Sequence, residues 1–390
     1  MRKTYLAYLV SIAAMFGPFV QTFYTPLLPE MAAIFRTSPT IVSLTVSVYP
    51  IVFAIMQLIY GPLIDKYGRR KILLIGFLFY LLATLGVTLS YTIEWLIAFR
   101  ILQAIGGSVG SVAALTVIGD LFEGNRRVRA MGAYQMLVAL GPGLGPVFGG
   151  YIGERYGFYP LLWVLLAIST AYWLVVFFSL PETGTSKAAE ERFALRRFTD
   201  VMANAAGQAV ILLGIVQYTA FYVLIILLPS IAADGYLLDP TETGALYLPA
   251  SVCLMIGSIV SGRVQAFVEI RRMLIATAVF NGLSVLLFAA LSSVSLTMLV
   301  ACISLFGFSL GLSLPLQTAL LSAELSRLRA TANGVYNFFR YQGMTIGPVL
   351  GAYLYPYGYA SIFYVLTVIY GLAVVFICSR MYAKSASAAV

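Results

Sequence analysis

Two arginines inside long apolar segments are the clearest candidates for chemistry. Arg100 lies in the apolar run 95–119, and Arg340 lies in the run 331–354. A charged side chain within a membrane span costs at least ~2.5 kcal/mol on insertion scales, so each arginine should face a partner or a watery cavity. Arg340 is expected about 13 Å from the inner end of its run, near the membrane midplane.

Each arginine has two interpretations. Arg100 could bind substrate or couple protons, or it could be a structural arginine hydrogen-bonded to the backbone of span one. Arg340 suggests a basic cavity that would take an organic anion. Its alternative is pairing with carbonyl groups, or with lipid phosphate after snorkelling, which midplane depth makes difficult.

Other titratable groups are scarce within the apolar runs. The chain has 15 acidic residues, no histidine and three cysteines. The acids nearest to the membrane, Glu30, Asp65 and Asp120, are expected at span ends rather than at mid-depth. The cysteines lack ligand-like spacing, so neither a metal site nor a cofactor is expected. An enzyme that uses embedded acid–base chemistry is disfavoured for the same reason.

The composition is that of a membrane protein. Hydrophobic residues make up 61% of the 390 residues and charged residues only 10%, whereas soluble domains carry about 25% charged residues. The N-terminal run lacks a small-residue cleavage site and is interpreted as a retained first span. Apolar runs of helical length are expected at 6–28, 41–64, 72–90, 95–119, 130–153, 159–180, 208–229, 243–266, 272–292, 296–322, 331–354 and 360–382.

The basic residues predict the orientation. Between these runs, nearly all Lys and Arg residues fall on one side, and only Arg36 and Arg155 fall on the other. The positive-inside rule therefore places both termini in the cytoplasm, with the chain in the cytoplasmic (inner) membrane. The net charge of +9 is thus mainly a topology signal, and a nucleic-acid partner is not expected.

A repeat divides the chain into two similar halves. One glycine-proline pattern occurs twice with identical spacing: Gly132, Gly141, Gly145-Pro146, Gly149-Gly150, and then Gly334, Gly343, Gly347-Pro348, Gly351-Ala352. We therefore expect an N-terminal six-helix bundle at 1–180, a cytoplasmic linker at 181–207 and a C-terminal six-helix bundle at 208–390. The linker is interpreted as a tether, part of which has the apolar spacing of an amphipathic helix near 195–202.

The loop between spans two and three carries the first specific motif. It reads Gly61-Pro-Leu-Ile-Asp65-Lys-Tyr-Gly68-Arg69-Arg70-Lys71 and resembles the signature loop of the major facilitator superfamily. The resemblance implies a cytoplasmic latch formed by Gly61, Asp65, Gly68, Arg69, Arg70 and Asp120. Gly61 would allow close approach of a neighbouring helix, and Asp65 would accept hydrogen bonds at a helix N-terminus. Alternatively, the basic residues serve orientation alone.

Three further segments extend this resemblance. Arg100-Ile-Leu-Gln103-Ala104 is similar to a span-four motif of the family, with Ala104 where glycine is usual. Gly132, Gly141, Gly145, Pro146, Gly149 and Gly150 resemble the span-five antiporter motif of exporters; such glycines would pack against the partner half. Ordinary small-residue packing is the alternative. Span one resembles that of the drug:proton antiporter branch near the bicyclomycin-resistance exporters, with Thr22 where many members have aspartate.

The resemblance implies an all-α polytopic membrane protein with the major facilitator fold. Twelve transmembrane helices would form two six-helix bundles with pseudo-two-fold symmetry and a substrate site between them at mid-depth. Polar and aromatic residues are candidates for that substrate cavity, although each could equally form an interhelical hydrogen bond; Asn281 and Gln317 are further candidates of this kind. The main candidates are Gln21, Tyr24, Arg100, Gln103, Gln217, Tyr218, Tyr222, Asn337, Arg340 and Tyr341.

The function implied is secondary active export. The substrates would be small amphipathic organic molecules or drugs, moved by alternating access and coupled to protons, by a monomer among membrane lipids; such export would contribute to multidrug resistance. Two alternatives remain open within this class. One is an exporter of an organic anion such as a siderophore or a sugar acid, and the other is an uncoupled facilitator. A channel is disfavoured because the repeat and the latch serve two mutually exclusive states.

Overall fold

The computed structural model describes the backbone of residues 2–122, 124–183, 195–265, 267–325 and 329–387. Helices dominate these ranges, as expected of a chain that must satisfy its own backbone hydrogen bonds in lipid. In chain order they are α1 (Arg2–Thr22), α2 (Leu28–Ile34), α3 (Pro39–Tyr67), α4 (Arg69–Thr88), α5 (Ile93–Gly107), α6 (Val109–Leu121), α7 (Gly124–Tyr156), α8 (Phe158–Ser179), α9 (Leu195–Ala203), α10 (Ala205–Tyr236), α11 (Pro240–Ala245), α12 (Tyr247–Val264), α13 (Ile270–Leu291), α14 (Leu296–Glu324), α15 (Arg329–Leu354) and α16 (Tyr359–Ser387).

The predicted all-α polytopic membrane fold is confirmed. Among the described residues, 11 helical segments are long and apolar enough to cross a membrane. The remaining expected span, 331–354, coincides with α15, which has 26 residues and carries Arg340 and several amides within its apolar sequence. Its length suffices to span a bilayer, but its composition is less apolar than that of the other eleven.

Three predicted spans are interrupted: span one, span four, and span eight, which divides into α11 and α12 on either side of Leu246. Prolines account for the first interruption. Span one ends as α1 at Thr22, continues as a 3₁₀ turn over Thr25–Leu27 and resumes as α2. Pro26 and Pro29 lack the N–H that a continuous helix would need. Span four divides into α5 and α6 on either side of Ser108.

Side-chain caps fix where several helices begin. The hydroxyls of Ser38, Thr92 and Ser295 accept hydrogen bonds from backbone N–H groups in the first turns of α3, α5 and α14. Asp239 and Glu242 form a capping box at the start of α11. Such caps satisfy N–H groups that have no partner within the helix. The capping residues therefore fix the position at which each of these helices begins.

The first compact unit, here unit one, comprises Met1–Glu190, Leu228–Ala233 and Leu237–Leu248. Within it α1 packs against α6 and α7, and α4 packs against α5 and α8. Two donors on α8 hold this arrangement. The Tyr172 hydroxyl donates to the Leu9 carbonyl (2.7 Å), and the Trp173 indole donates to the Leu74 carbonyl (3.0 Å).

The second compact unit, unit two, comprises Glu191–Leu227, Asp234–Tyr236 and Pro249–Val390. Here α13 packs against both α14 and α16, and the rings of Phe288 and Phe363 lie 4.5 Å apart at the α13–α16 contact. The helix expected in the linker is present as α9, which contacts α15. The bundle limits at residues 180 and 208 stay a prediction.

Candidate functional site

Arg100 lies at the junction of three helices in unit one. Its side chain is 1% exposed. Nε donates to the Thr45 carbonyl of α3 (3.1 Å), and Nη1 donates to the Val20 carbonyl of α1 (3.4 Å). Nη1 also donates to Oε1 of Gln103, one turn further along α5 (2.6 Å). The Val20 contact is the one that a structural arginine bonded to span one would make.

Aromatic rings complete the surroundings of Arg100. Its guanidinium carbon lies 5.0 Å from the ring centroid of Tyr24 and 4.7 Å from that of Tyr49. The Tyr24 hydroxyl donates to Oγ1 of Thr45 (2.9 Å). Cation–π contacts and carbonyl bonds thus stabilise a buried charge that has no acidic partner among the described residues. Nη2 of Arg100 is buried without a hydrogen-bond partner there, so a capacity to bind a further acceptor remains.

Arg340 is the centre of a second cluster, on α15 in unit two. Its Nη1 lies 3.5 Å from the Tyr218 hydroxyl. The guanidinium carbon lies 4.9 Å from the ring centroid of Tyr218, 5.7 Å from that of Tyr336 and 5.5 Å from that of Tyr341. The sequence analysis named Arg340, Tyr218 and Tyr341 as cavity candidates but omitted Tyr336. Tyr336 contacts Arg340 because it lies one helical turn before it on α15.

An amide network occupies the interior of unit two. Gln217 donates through Nε2 to Oδ1 of Asn281 (3.2 Å) and to the Ser313 hydroxyl (2.8 Å). Nε2 of Gln317 donates to Oε1 of Gln217 (2.5 Å). All four residues are fully buried, so the network joins α10, α13 and α14. The sequence indicated the three amides separately; Ser313 was missed because serines are common in apolar helices.

Three other expected cavity residues lie outside these two arginine clusters. Gln21 is buried in α1, and Tyr222 is buried in α10, where its ring lies 5.8 Å from that of Phe221. Asn337 is half-buried in α15, three residues before Arg340. The roles of all the cavity candidates remain proposals.

An ion pair joins α4 to the end of α6 at the expected latch. Nε of Arg69 lies 2.9 Å from Oδ2 of Asp120, and the Thr183 hydroxyl lies 3.4 Å from the same oxygen. Arg70 instead donates to the Phe177 carbonyl of α8 (2.8 Å), and its guanidinium lies over the Phe177 ring. Two of the predicted latch cations therefore have separate partners.

Glu182 is the functional candidate that sequence reasoning missed. Its Oε1 accepts a hydrogen bond from the Arg69 backbone N–H (2.8 Å), and its Oε2 accepts one from the Arg70 N–H (3.1 Å). A carboxylate in this position complements the N-terminal dipole of α4. Gly68 permits the contact, because it has φ +94° and a Cβ there would lie 2.6 Å from Oε2 of Glu182. The segment Pro181-Glu182-Thr183-Gly184 was visible at the start of the linker but was interpreted as part of a tether.

Two other latch predictions concern Asp65 and Gly61. The side chain of Asp65 lies outside the described residues. Among the described residues, no atom lies within 4 Å of a Cβ built on Gly61. The expected close approach of a helix at Gly61 therefore stays a prediction.

The glycines of α7 pack against α1 of the same unit. A Cβ on Gly141 would lie 3.0 Å from the Phe19 nitrogen, and one on Gly145 would lie 2.5 Å from the Phe19 carbonyl oxygen. A Cβ on Gly149 would collide with the Phe23 carbonyl. The expectation that these three glycines pack against the partner half is therefore wrong. Their absent side chains allow backbone contact between α7 and α1.

The end of α7 contacts α11, a segment that was expected in the C-terminal bundle (208–390) and that lies within unit one. A Cβ on Gly150 would collide with the Pro240 carbonyl, and one on Gly244 would collide with the Pro146 carbonyl. Oε2 of Glu154 accepts from the Thr241 backbone N–H in the first turn of α11 (3.1 Å). The surroundings of Gly132, the first position of the motif, are not among those that the structure describes.

Comparison with models of known families identifies the family of the chain. The model of the Major Facilitator Superfamily matches residues 10–216 and again residues 210–388. The chain belongs to the major facilitator superfamily. The two successive matches agree with the duplication read from the glycine pattern. Superfamily membership places the chain among multi-pass membrane transport proteins and not among enzymes.

Curated relatives of the chain include fungal transporters. The chain is 32% identical to "Citrate exporter 1" of Aspergillus niger over 182 residues. The match covers 47% of this chain and 35% of that relative. The chain is 31% identical to "MFS antiporter QDR3" of Candida albicans over 183 residues. The match covers 46% of this chain and 26% of that relative. The chain thus spans about a third or less of the length of the curated relatives it matches.

Solved structures show the same fold. A bacterial homologue of the human lysosomal transporter Spinster, crystallised in an inward-facing and occupied conformation, superimposes with a TM-score of 0.79. The match covers 97% of this chain and 96% of that one at 16% identity. An unoccupied structure of a bacterial Spinster homologue gives a TM-score of 0.78. At this identity the likeness establishes the fold alone.

Proposed function

We propose that this superfamily member is a secondary active transporter of the drug:proton antiporter branch. It would export small amphipathic organic molecules or drugs by alternating access, in which one substrate site opens to each side of the membrane in turn. The proposal includes twelve spans in two halves, 1–180 and 208–390, joined by the linker 181–207. It also includes an inner-membrane location, cytoplasmic termini and a monomeric state.

The geometry of α7 is the observation that carries the export proposal. Gly145 and Gly149 bring its backbone against that of α1, on either side of Pro146. This close contact agrees with the antiporter motif that the sequence resembles, and the two fungal relatives are named as an exporter and an antiporter. Ordinary small-residue packing would need neither the prolines nor the repeated spacing.

The direction of transport is tested in everted membrane vesicles. A compound that stabilises the purified protein in a thermal-shift screen is added outside vesicles whose cytoplasmic face points outward. Energised vesicles that contain the protein should accumulate this compound, and vesicles without it should not. Accumulation only by right-side-out vesicles would indicate import and would refute the proposal.

Proton coupling is the second element of the proposal, and Thr22 weighs against it. The Thr22 hydroxyl donates to the Pro18 carbonyl (3.0 Å) at the position where many branch members have aspartate. An uncoupled facilitator is therefore the alternative. Proteoliposomes with an imposed pH gradient distinguish the two: antiport drives substrate against its own gradient, whereas a facilitator only equilibrates it.

An organic-anion exporter is the second candidate function. Arg340 supports it, because this cation has no acidic partner among the described residues. The name of the Aspergillus relative is consistent with an anionic substrate. The same thermal-shift screen, run with matched organic cations, neutral compounds and anions, discriminates between the candidates. Stabilisation by anions alone would favour this second candidate over drug export.

A further inference from the structure

One face of α15 carries three buried polar atoms without hydrogen-bond partners among the described residues. They are Oδ1 of Asn333, Oη of Tyr336 and Nε of Arg340. Positions three, four and seven residues apart share a helix face, so these atoms line one stripe about 10 Å long. Buried polar atoms are normally hydrogen-bonded. The stripe therefore offers one acceptor and two donors for something outside the protein.

The charge on this stripe is uncompensated. Arg340 stays protonated at any physiological pH, and no described carboxylate lies within ion-pair distance of it. The tyrosine rings at 4.9, 5.5 and 5.7 Å and the hydroxyl groups of Tyr218 and Tyr341 stabilise its guanidinium. A cation at mid-span normally has an anionic partner or a watery cavity, so a monoanionic ligand would complete the site.

The surroundings hold this stripe in place. A Cβ on Gly214 of α10 would lie 2.8 Å from Cε2 of Tyr336 and 3.7 Å from Oε1 of Gln317. The Tyr336 ring therefore rests directly on the α10 backbone, beside the buried amide network. A fixed ring and a fixed guanidinium reduce the entropy lost when a ligand binds.

We propose that Nε of Arg340 and Oη of Tyr336 form a carboxylate-binding subsite for aromatic or amphipathic monocarboxylates. The rings of Tyr218 and Tyr341 provide the wall for the apolar body of the ligand. Oδ1 of Asn333, farther along the stripe, accepts from a hydroxyl or amide of a longer ligand. This inference rests on the proposed carrier function and specifies its substrate class.

Two physical arguments favour a monocarboxylate over other anions. A guanidinium edge presents parallel N–H groups that match the two oxygens of a planar carboxylate. A single buried cation neutralises one negative charge, so citrate would bring excess charge into a low-dielectric site. The subsite should therefore select 2-naphthoate over both citrate and inorganic phosphate.

Binding to the purified full-length protein, measured by isothermal titration calorimetry, tests the subsite directly. Wild type should bind 2-naphthoate and should bind its neutral isostere 2-naphthamide much more weakly. Arg340→Gln should lower the affinity roughly tenfold or more, the typical effect of losing a charge-assisted hydrogen bond. Arg340→Lys should recover part of the lost affinity, because lysine keeps the positive charge but lacks the paired N–H groups of a guanidinium. Tyr336→Phe should cause a several-fold loss.

Arg155→Gln is the matched control. Arg155 also bonds a tyrosine hydroxyl, that of Tyr151 (2.6 Å), and lies over the same ring, but on the exposed part of α7. Its loss should leave naphthoate affinity unchanged. Melting curves and gel filtration identify any variant that fails to fold, and Tyr336→Phe keeps the test valid if Arg340→Gln is unstable.

The outcomes distinguish a failure of the proposed carboxylate subsite from a failure of the proposed carrier function. Equal affinity of wild type and Arg340→Gln, equal affinity for naphthoate and naphthamide, or no naphthoate binding by wild type would each overturn the subsite. If binding depends on Arg340 but no compound shows counterflow in proteoliposomes, the subsite stands and the carrier function fails. If a neutral compound shows counterflow and naphthoate does not bind, the carrier stands and the subsite fails.

Discussion

The equivalent glycines Gly149 and Gly351 should respond in opposite ways to alanine. They hold the same position in the repeated pattern, on α7 and α15. A Cβ on Gly149 would fall on the Phe23 carbonyl, far inside the 3.0 Å that Cβ atoms keep. A Cβ on Gly351 would find its nearest neighbour, Cγ of Leu227, at 3.5 Å, an ordinary van der Waals contact.

The expected magnitudes follow from these distances. Overpacking costs about 1–3 kcal/mol, and the upper end applies at Gly149 because the contacted atom is backbone rather than the end of a flexible side chain. Alanine recovers about 1 kcal/mol of helix propensity at either site. Gly149→Ala should therefore destabilise the protein by roughly 2 kcal/mol, and Gly351→Ala should be neutral or stabilising by up to about 1 kcal/mol.

Thermal unfolding of the two purified variants in detergent, followed by tryptophan fluorescence, measures this difference. In a unit of about 200 residues each kcal/mol shifts Tm by ~2–4 °C. Gly149→Ala should melt several degrees below wild type, and Gly351→Ala should melt at or above it. Equal shifts in the two variants, or a fully stable Gly149→Ala, would refute the assignment of α7–α1 backbone contact as the function of the motif.

Three further predictions concern the latch and the amide network. Glu182→Gln removes the charge of the α4 cap and should lower the free energy of unfolding, measured by chemical denaturation, by ~0.5–2 kcal/mol. High salt should reduce the difference between wild type and variant, because salt screens the charge–dipole part of the cap; an unchanged midpoint would count against the cap. A double-mutant cycle of Arg69→Ala and Asp120→Asn should give a coupling of about 0.5–1 kcal/mol, whereas strict additivity would show that the pair is inert. Asn281→Leu removes one of the two acceptors of Gln217 Nε2 and the donor to the Ser309 carbonyl, and should lower stability by ~1–3 kcal/mol. A variant as stable as wild type would mean that the network is redundant.

The fold could be predicted from the sequence because lipid imposes simple constraints. Apolar run length, prolines and charged loop residues determined the helices to within a few residues, including α9 in the linker. The interruptions followed less readily. Pro26 and Pro29 indicate the break after α1, and Gly106 and Gly107 beside Ser108 favour the division between α5 and α6, although no proline marks it.

The candidate site was predictable only in part, since its contacts are tertiary. The arginines were evident because a buried charge is costly, and their tyrosine neighbours shared the same helices. The role of Glu182 was not evident, because it caps a helix 113 residues away in the chain. Likewise Gly149 and Gly351 are equivalent by spacing, yet only the positions of α1 and α10 distinguish a forced backbone contact from a loose one.

Counterflow in proteoliposomes tests the central claim, alternating-access transport, most directly. Purified protein is reconstituted into vesicles preloaded with the unlabelled compound selected by the charge screen, and a trace of labelled compound is added outside. A carrier should give a transient overshoot of internal label that saturates with concentration. A monotonic, non-saturating rise with unitary currents in planar bilayers would identify a pore and contradict the account.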